Sequence, residues 1–344
     1  MSLMIGKEIL GYTIKSVLGE GGMATVYKGV NQQTNHSLAF KVLDNKLTSS
    51  ESLMTRFRNE ATLGINLDHP YIAKVFNFIE VENVPMILME CVEGSSISQF
   101  YKTTVVEKKI EFFIKILEAF EYAHSLKVVH RDIKPSNILV NKWGNPKVLD
   151  FGIARIDTQE GVGLTRTGAH MGSLPYMSPE QIKGIKNIDK KTDIYSLGLL
   201  LYELISEKPV FDSETENSYL LPTKIMNDAV PEIEGAAYAR INQIIKKATN
   251  KSSEDRYSSC DEFKSALSDK EVYRDILGLE KNDEPKFPKS VYQAYLEVTK
   301  EGAVNNEPET RDSWSNYKAE RRHFIFRTIL IIGVVVLLLF LMSQ

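Results

Sequence analysis

The sequence predicts an α+β chain built as a small β-rich N-terminal lobe, a larger α-helical lobe and a C-terminal transmembrane helix. Three observations carry this reading. Short apolar segments punctuated by Gly run through residues 12–90, amphipathic helical spacing takes over from Ile110, and residues 328–342 carry no charge. A chain of 344 residues, 43% hydrophobic and 25% charged, can bury a sizeable core. The net charge of -3 and a pI near 6.1 offer no basic footprint for nucleic acid, which is excluded as a partner. The two cysteines, Cys91 and Cys260, lie far apart and have neither a disulfide framework nor metal-ligand spacing. The lobes therefore read as cytosolic.

Taken in order, Tyr12 to Leu18 alternates as a strand and runs into Gly19, Glu20, Gly21, Gly22 and Met23, with a second strand from Ala24 to Val30. A glycine turn between two strands makes a flap. Leu38 to Lys41 is an apolar strand segment ending on a charge, a poor place for a stray lysine. Leu53, Met54, Phe57, Ala61 and Leu63 repeat at helical spacing over Glu51 to Leu67 and leave Glu60 free to face that strand. Gly64 costs this helix about 1 kcal/mol of propensity, which predicts an easily displaced element. His69-Pro70 closes the connection, and Ala73 to Glu80 and Pro85 to Glu90 read as the last strands of the lobe. From Ile110 to Ser125 and onward the pattern is helical, apart from short strand pieces at Leu139 and Val148.

Residues 268–323 hold many charges, Pro285, Pro288 and Pro308, and little apolar periodicity, so they read as a linker with a short helix near Val291 to Val298. No signal peptide is expected, because Met1 to Leu10 lacks a basic region followed by a long apolar run. Residues 324–342 are interrupted only by Arg327. At ~1.5 Å per residue they make roughly 28 Å of helix, close to the ~30 Å hydrocarbon core. A buried helix of a globular domain rarely lacks a polar stripe over such a length, so a membrane span is the better reading. Lys318, Arg321, Arg322 and His323 precede it, placing the upstream chain on the cytoplasmic face.

The densest cluster of chemistry-bearing residues is HRDIKPSN, His130 to Asn137, followed by Asp150, Phe151 and Gly152. Each piece alone could cap a turn or line a surface loop. Jointly, with LGEGGMATVYKG near the start, Ala39-Phe40-Lys41, and Pro179-Glu180 further on, they resemble the motifs of bacterial eukaryotic-like Ser/Thr protein kinases over roughly residues 10–267. The resemblance implies a bilobal protein kinase fold, with an N-lobe of about 10–92 and a C-lobe of about 93–267. It also implies ATP and Mg2+ as cofactors.

In such a family Asp132 would accept the proton of the attacking hydroxyl, while Asn137 and Asp150 would hold the magnesium ions. Lys134 would sit beside the transferred phosphate, as is typical of Ser/Thr kinases. Lys41 would reach the α- and β-phosphates, aligned by Glu60. Gly19, Gly21 and Gly22 would cover the phosphates, with Ala24 where the family has its third glycine. Leu18, Val26, Ala39, Met89 and Leu139 would sandwich adenine, and the backbone of Glu90 and Val92 would bond it. Asp193 would anchor the catalytic-loop backbone, Arg256 would pair with Glu180, and Ser173 would stand near the base. Arg131, directly before the base, implies regulation by phosphorylation at Thr165 or Thr167. The implied protein is a membrane-tethered kinase of the cell inner membrane, single-pass, acting on protein Ser/Thr hydroxyls, with a homodimer left open. The competing readings are a pseudokinase or ATP-sensing scaffold, and a small-molecule kinase of similar fold. The first is opposed by the presence of Lys41, Glu60, Asp132, Asn137 and Asp150 together, the second by the complete segment ending in Glu180.

Overall fold

A computed structural model of the chain describes residues 4–151, 174–185, 188–212 and 220–279. The chain divides into two units, 1–285 and 286–344, and every described residue lies in the first. Gly152, Thr165, Thr167, Gly172, Ser173, residues 280–323 and the apolar stretch 324–342 lie outside the described residues. Among the described residues no helix is long and apolar enough to cross a membrane.

The first lobe is a sheet of β1 (Glu8–Ile9), β2 (Tyr12–Glu20), β3 (Ala24–Asn31), β4 (Ser37–Leu43), β5 (Val75–Val81) and β6 (Val84–Glu90), in the order β1-β2-β3-β4-β6-β5. Every pairing in it is antiparallel. Ile14, Phe40, Met86 and Leu88 form the core of one face. On another, Leu43 and Ile87 receive Phe57 and Ala61 of α1 (Glu51–Asn66), the helix that the 3.6-residue spacing predicts. Ser50 starts α1 by accepting from the Leu53 amide at 3.4 Å.

Gly64 has a packing reason. A Cβ there would stand 2.5 Å from Cγ2 of Val75, so α1 and β5 approach each other only because the side chain is missing. The expected weak point of the helix is a site of close contact with the sheet.

The second lobe opens with β7 (Gly94–Ser96), α2 (Ile97–Lys102) and the long α3 (Val106–Ser125). β8 (Ile138–Asn141) and β9 (Pro146–Val148) join β7 in a three-stranded sheet, β7-β8-β9. Then come α4 (Pro179–Ile182), α5 (Lys191–Ser206), α6 (Leu221–Asn227), α7 (Ala239–Ala248), α8 (Cys260–Leu267) and α9 (Lys270–Leu277). Buried residues run around the whole circumference of α5, from Thr192 to Ile205. A helix buried all round belongs inside a lobe, and α3 and α7 pack against it.

One boundary differs from expectation. The sequence pattern predicts a linker from residue 268, yet α9 begins at Lys270. Asp269 caps it by accepting from the Glu271 amide at 2.9 Å, Val272 and Tyr273 are buried, and Gly278 ends it at φ 63°. Two apolar side chains on one turn are too few to show as periodicity, but enough to dock a short capped helix.

Candidate active site

Lys41 stands on β4 opposite Val26 of β3 and Ile87 of β6, so its backbone is fixed on both sides. Its Nζ reaches Glu60 Oε1 of α1 at 2.6 Å and Asp150 Oδ1 at 2.9 Å, with all but 14% of the side chain covered. Burial opposes the charge of Lys41, but the Asp150 and Glu60 carboxylates outweigh it and hold its pKa above the ordinary value. Burial pushes the Glu60 carboxyl up, against the pull of Lys41 and with the help of Asp150. One cation shared by two carboxylates is an aligned but charge-rich corner.

The loop between α3 and β8 is irregular apart from a short 3-10 turn at Pro135–Asn137. Its shape comes from Asp193 on α5, which is fully buried. The His130 and Arg131 amides donate to its two carboxylate oxygens at 2.8 Å each, and His124 Nε2 donates at 2.8 Å. These bonds hold Arg131 at φ 64°, a left-handed conformation costing a side-chain-bearing residue about 1–2 kcal/mol. His130 is held from both ring nitrogens. Nδ1 accepts from the Asp132 amide at 3.2 Å and Nε2 donates to the Leu149 carbonyl at 3.0 Å. Beyond it Asp150 sits at φ 45°, and Phe151 packs against Phe120 and His130.

Within this frame the predicted chemistry comes together in two groups. Asn137 Nδ2 donates to the Asp132 carbonyl at 2.7 Å and to Asp132 Oδ2 at 3.2 Å, while Lys134 Nζ lies 3.0 Å from the same Oδ2. Lys41, Glu60 and Asp150 form the other group. The Leu149 amide donates to the Asn137 carbonyl at 2.8 Å, joining the two segments next to Asp150.

Among the described residues no three His, Cys, Asp or Glu side chains form a metal cage of their own. Asn137 turns its amide nitrogen to Asp132, which leaves its oxygen as the group free to ligate, and Asp150 adds carboxylate oxygen. A hard oxygen pair of this kind fits a divalent cation such as Mg2+, which keeps waters and shares substrate phosphates.

Ala39, Ala73 and Met89 form a small buried apolar cluster, with Val26, Val75, Cys91, Val92 and Leu149 packed against them. Leu18, 51% exposed, and Leu139, half-buried on β8, lie outside that cluster. Gly19 and Glu20 stay in register with Val26 and Thr25, and the Gly21 amide donates to the Ala24 carbonyl at 2.9 Å, which closes the turn containing Gly22.

Glu180 and Arg256 meet as expected, at 2.7 Å. Thr192 Oγ1 donates to Glu180 Oε1 at 2.6 Å, and Gln181 Nε2 to the Arg131 carbonyl at 2.8 Å. Arg131 Nη2 donates to the Ile188 carbonyl at 3.4 Å. Sequence reasoning gave no role to His124, His130, Gln181 or Thr192. His130, Gln181 and Thr192 carried a signal, by adjoining Arg131-Asp132, Glu180 and Asp193.

A family model described as the protein kinase domain matches residues 12–269. A probable serine/threonine-protein kinase of Streptomyces coelicolor is 36% identical over 74% of this chain and 39% of its own length. Serine/threonine-protein kinase PrkC of Bacillus subtilis is 34% identical over 77% of this chain and 41% of its own. PknB of Mycobacterium tuberculosis is 31% identical over 82% and 45%. This chain thus spans less than half the length of these curated relatives. The crystal structure of the Mycobacterium tuberculosis PknI kinase domain aligns with a TM-score of 0.56 at 24% identity, covering 78% of this chain and 98% of that one, a likeness of fold.

Proposed function

The chain belongs to the protein kinase domain family, with serine/threonine-protein kinases among its relatives, and from that premise we propose that it transfers the γ-phosphoryl group of ATP to Ser and Thr hydroxyls of proteins. The observation that carries the proposal is the Lys41 ammonium held between Glu60 and Asp150 while Asp132 shares its carboxylate with Asn137 and Lys134. Phosphoryl transfer needs positioning and charge neutralisation, and these two groups offer both.

In this reading adenine lies against Val26, Ala39 and Met89, under Leu18 and over Leu139, bonded by the backbone of Glu90 and Val92. Gly19, Gly21 and Gly22 cover the phosphates, and Lys41 binds them. Asn137 and Asp150 hold the divalent cation, Mg2+ in this proposal, which when bound neutralises charge on the phosphate oxygens. Asp132 orients the acceptor hydroxyl and takes its proton, and Lys134 sits against the moving phosphoryl group. The Ser/Thr preference rests on Lys134 two residues after the base. A pseudokinase or ATP-sensing scaffold is disfavoured because none of these side chains is replaced.

Further parts of the proposal are a catalytic domain of 10–267 extended by the docked α9, a juxtamembrane linker from there to 323, and a span of 324–342. The span anchors the kinase to the cell inner membrane with the domain on the cytoplasmic face. Transfer of radiolabel from ATP to a generic protein acceptor tests the activity, and its absence in the presence of Mg2+ would refute it. Carbonate washing that strips the chain from membranes would refute the anchor.

A further inference from the structure

The two ends of the nucleotide site, the adenine-binding backbone at Glu90 to Val92 and the metal-binding Asp150, belong to different lobes, yet one carboxylate joins them. Glu90 ends β6, and its Oε2 lies 2.8 Å from Nζ of Lys147 on β9, three residues before Asp150. The pair is largely covered, with 13% of the Lys147 side chain and 30% of Glu90 exposed. The same Oε2 accepts from the Lys74 amide at 3.2 Å, and the Glu90 amide donates to the Lys74 carbonyl at 2.8 Å.

Lys74 extends the junction to the helix carrying Glu60. Its Nζ donates to the carbonyls of Ile65 and Leu67 at the end of α1, at 3.1 and 3.0 Å. Directly before it, residues 71–73 are stitched onto β9. The Val148 amide donates to the Tyr71 carbonyl at 2.8 Å, the Ala73 amide to the Val148 carbonyl at 2.9 Å, and Ile72 bridges Val148 in parallel. Hinge, α1 and metal strand therefore converge on one short segment. The only ion pair in that convergence that crosses from the hinge to β9 is Glu90 with Lys147, among the described residues.

We propose that the Glu90 side chain and Lys147 are positioning residues of the phosphotransfer site, clasping the hinge to the strand that delivers Asp150 so that adenine contact and metal placement form together. The inference rests on the kinase reading but concerns side chains that touch neither nucleotide nor metal. Glu90 contributes its backbone to adenine and its carboxylate to the clasp. With Lys147 neutral, the Oε2 atom keeps the Lys74 amide but loses its hold on β9. Asp150 then meets the metal with β9 tied to the hinge through the backbone bonds of residues 71–74 alone, among the described contacts.

The test is titration of the full chain with ATP across graded Mg2+, following bound nucleotide, for wild type, Lys147→Met, Lys147→Arg, Glu90→Gln and the double variant Glu90→Gln/Lys147→Met. Expected is a roughly three- to tenfold loss of the Mg2+-dependent gain in ATP affinity in Lys147→Met, the scale of coupling between contacting charged residues. Metal-free ATP should bind as in wild type, Lys147→Arg should restore the gain, and the double variant should lose no more than either single one. Unchanged Mg2+ dependence in Lys147→Met, or equal losses with and without metal, would overturn the clasp. A wild-type chain that binds ATP with Mg2+ yet transfers no phosphate would overturn the kinase reading instead, and the binding comparison would still decide the clasp.

Discussion

Arg256 and Glu180, 76 residues apart, meet through two parallel hydrogen bonds, Nη1 to Oε1 at 2.7 Å and Nη2 to Oε2 at 2.9 Å, with the guanidinium wholly buried. The remaining Arg256 donors are taken up by the carbonyls of Asn250, Lys191 and Lys251. The fork therefore locks α4 to the end of the helical lobe. Removing one partner of a buried pair leaves the other charge uncompensated, at about 3–5 kcal/mol.

Arg256→Met should accordingly lower the denaturation midpoint sharply. Burial opposes the Glu180 charge, but Arg256 and Thr192 outweigh it and hold the pKa below its ordinary 4.5. A depressed folded pKa means stability that is present above 4.5 and lost as pH falls toward the folded value. Denaturant melts at several pH values check this: the gap between wild type and Arg256→Met should be widest near neutrality and narrow below 4.5. A constant gap would contradict it.

Activity should fail on the acid side earlier than an ordinary carboxylate would allow. Glu60 is pushed up by burial, so it gains a proton, and Lys41 loses a charged partner, above the ordinary 4.5. Activity is full above that raised pKa and lost as pH falls through it. A rate profile whose acid limb lies at or below 4.5 would rule out the shift as the limiting titration.

Gly64→Ala sets two magnitudes against each other. The helix gains about 1 kcal/mol of propensity, while a Cβ 2.5 Å from Val75 Cγ2 overpacks the α1–β5 contact at about 1–3 kcal/mol. The clash should win, giving a less stable and less active protein in which Glu60 is pushed off Lys41. Adding Val75→Ala should recover both properties, and failure to do so would remove the contact as the cause.

Asp132→Asn should cut turnover by roughly 10²-fold or more, the scale of a lost general base, with ATP affinity nearly unchanged. The Asn137 bond to the Asp132 backbone carbonyl survives the substitution, so the loop keeps its shape. Single-turnover rates beside direct ATP titration separate the two effects. A collapse of ATP binding would contradict the role.

Thr165→Ala with Thr167→Ala should reduce phosphorylation of an added substrate while sparing ATP binding. A phosphate brings about -1.5 to -2 charge and pairs readily with arginine, and Arg131 directly precedes the base. Mass spectrometry that found both threonines unmodified in fully active enzyme would end this prediction.

Local pattern in the sequence was enough for the small β-rich lobe, the larger helical lobe and the order of strands and helices. Periods of two and 3.6 and turn glycines are properties of neighbouring residues. It also carried Lys41 to Glu60 and Arg256 to Glu180, because the family resemblance supplied partners that spacing alone could not. Only the tertiary structure decided the rest. Arg131 and Asp150 take positive φ because Asp193, 62 residues beyond Arg131, and the ring of Phe151, packed edge-on against His130, hold the loops there, against their local preference. Gly64 looked like a weakness in a helix and is a contact surface, and 270–277 looked like linker and docks as α9. The Glu90–Lys147 pair joins residues 57 apart, which no motif or spacing in the sequence connects. Contacts across such separations depend on how the lobes pack, and no local periodicity encodes them.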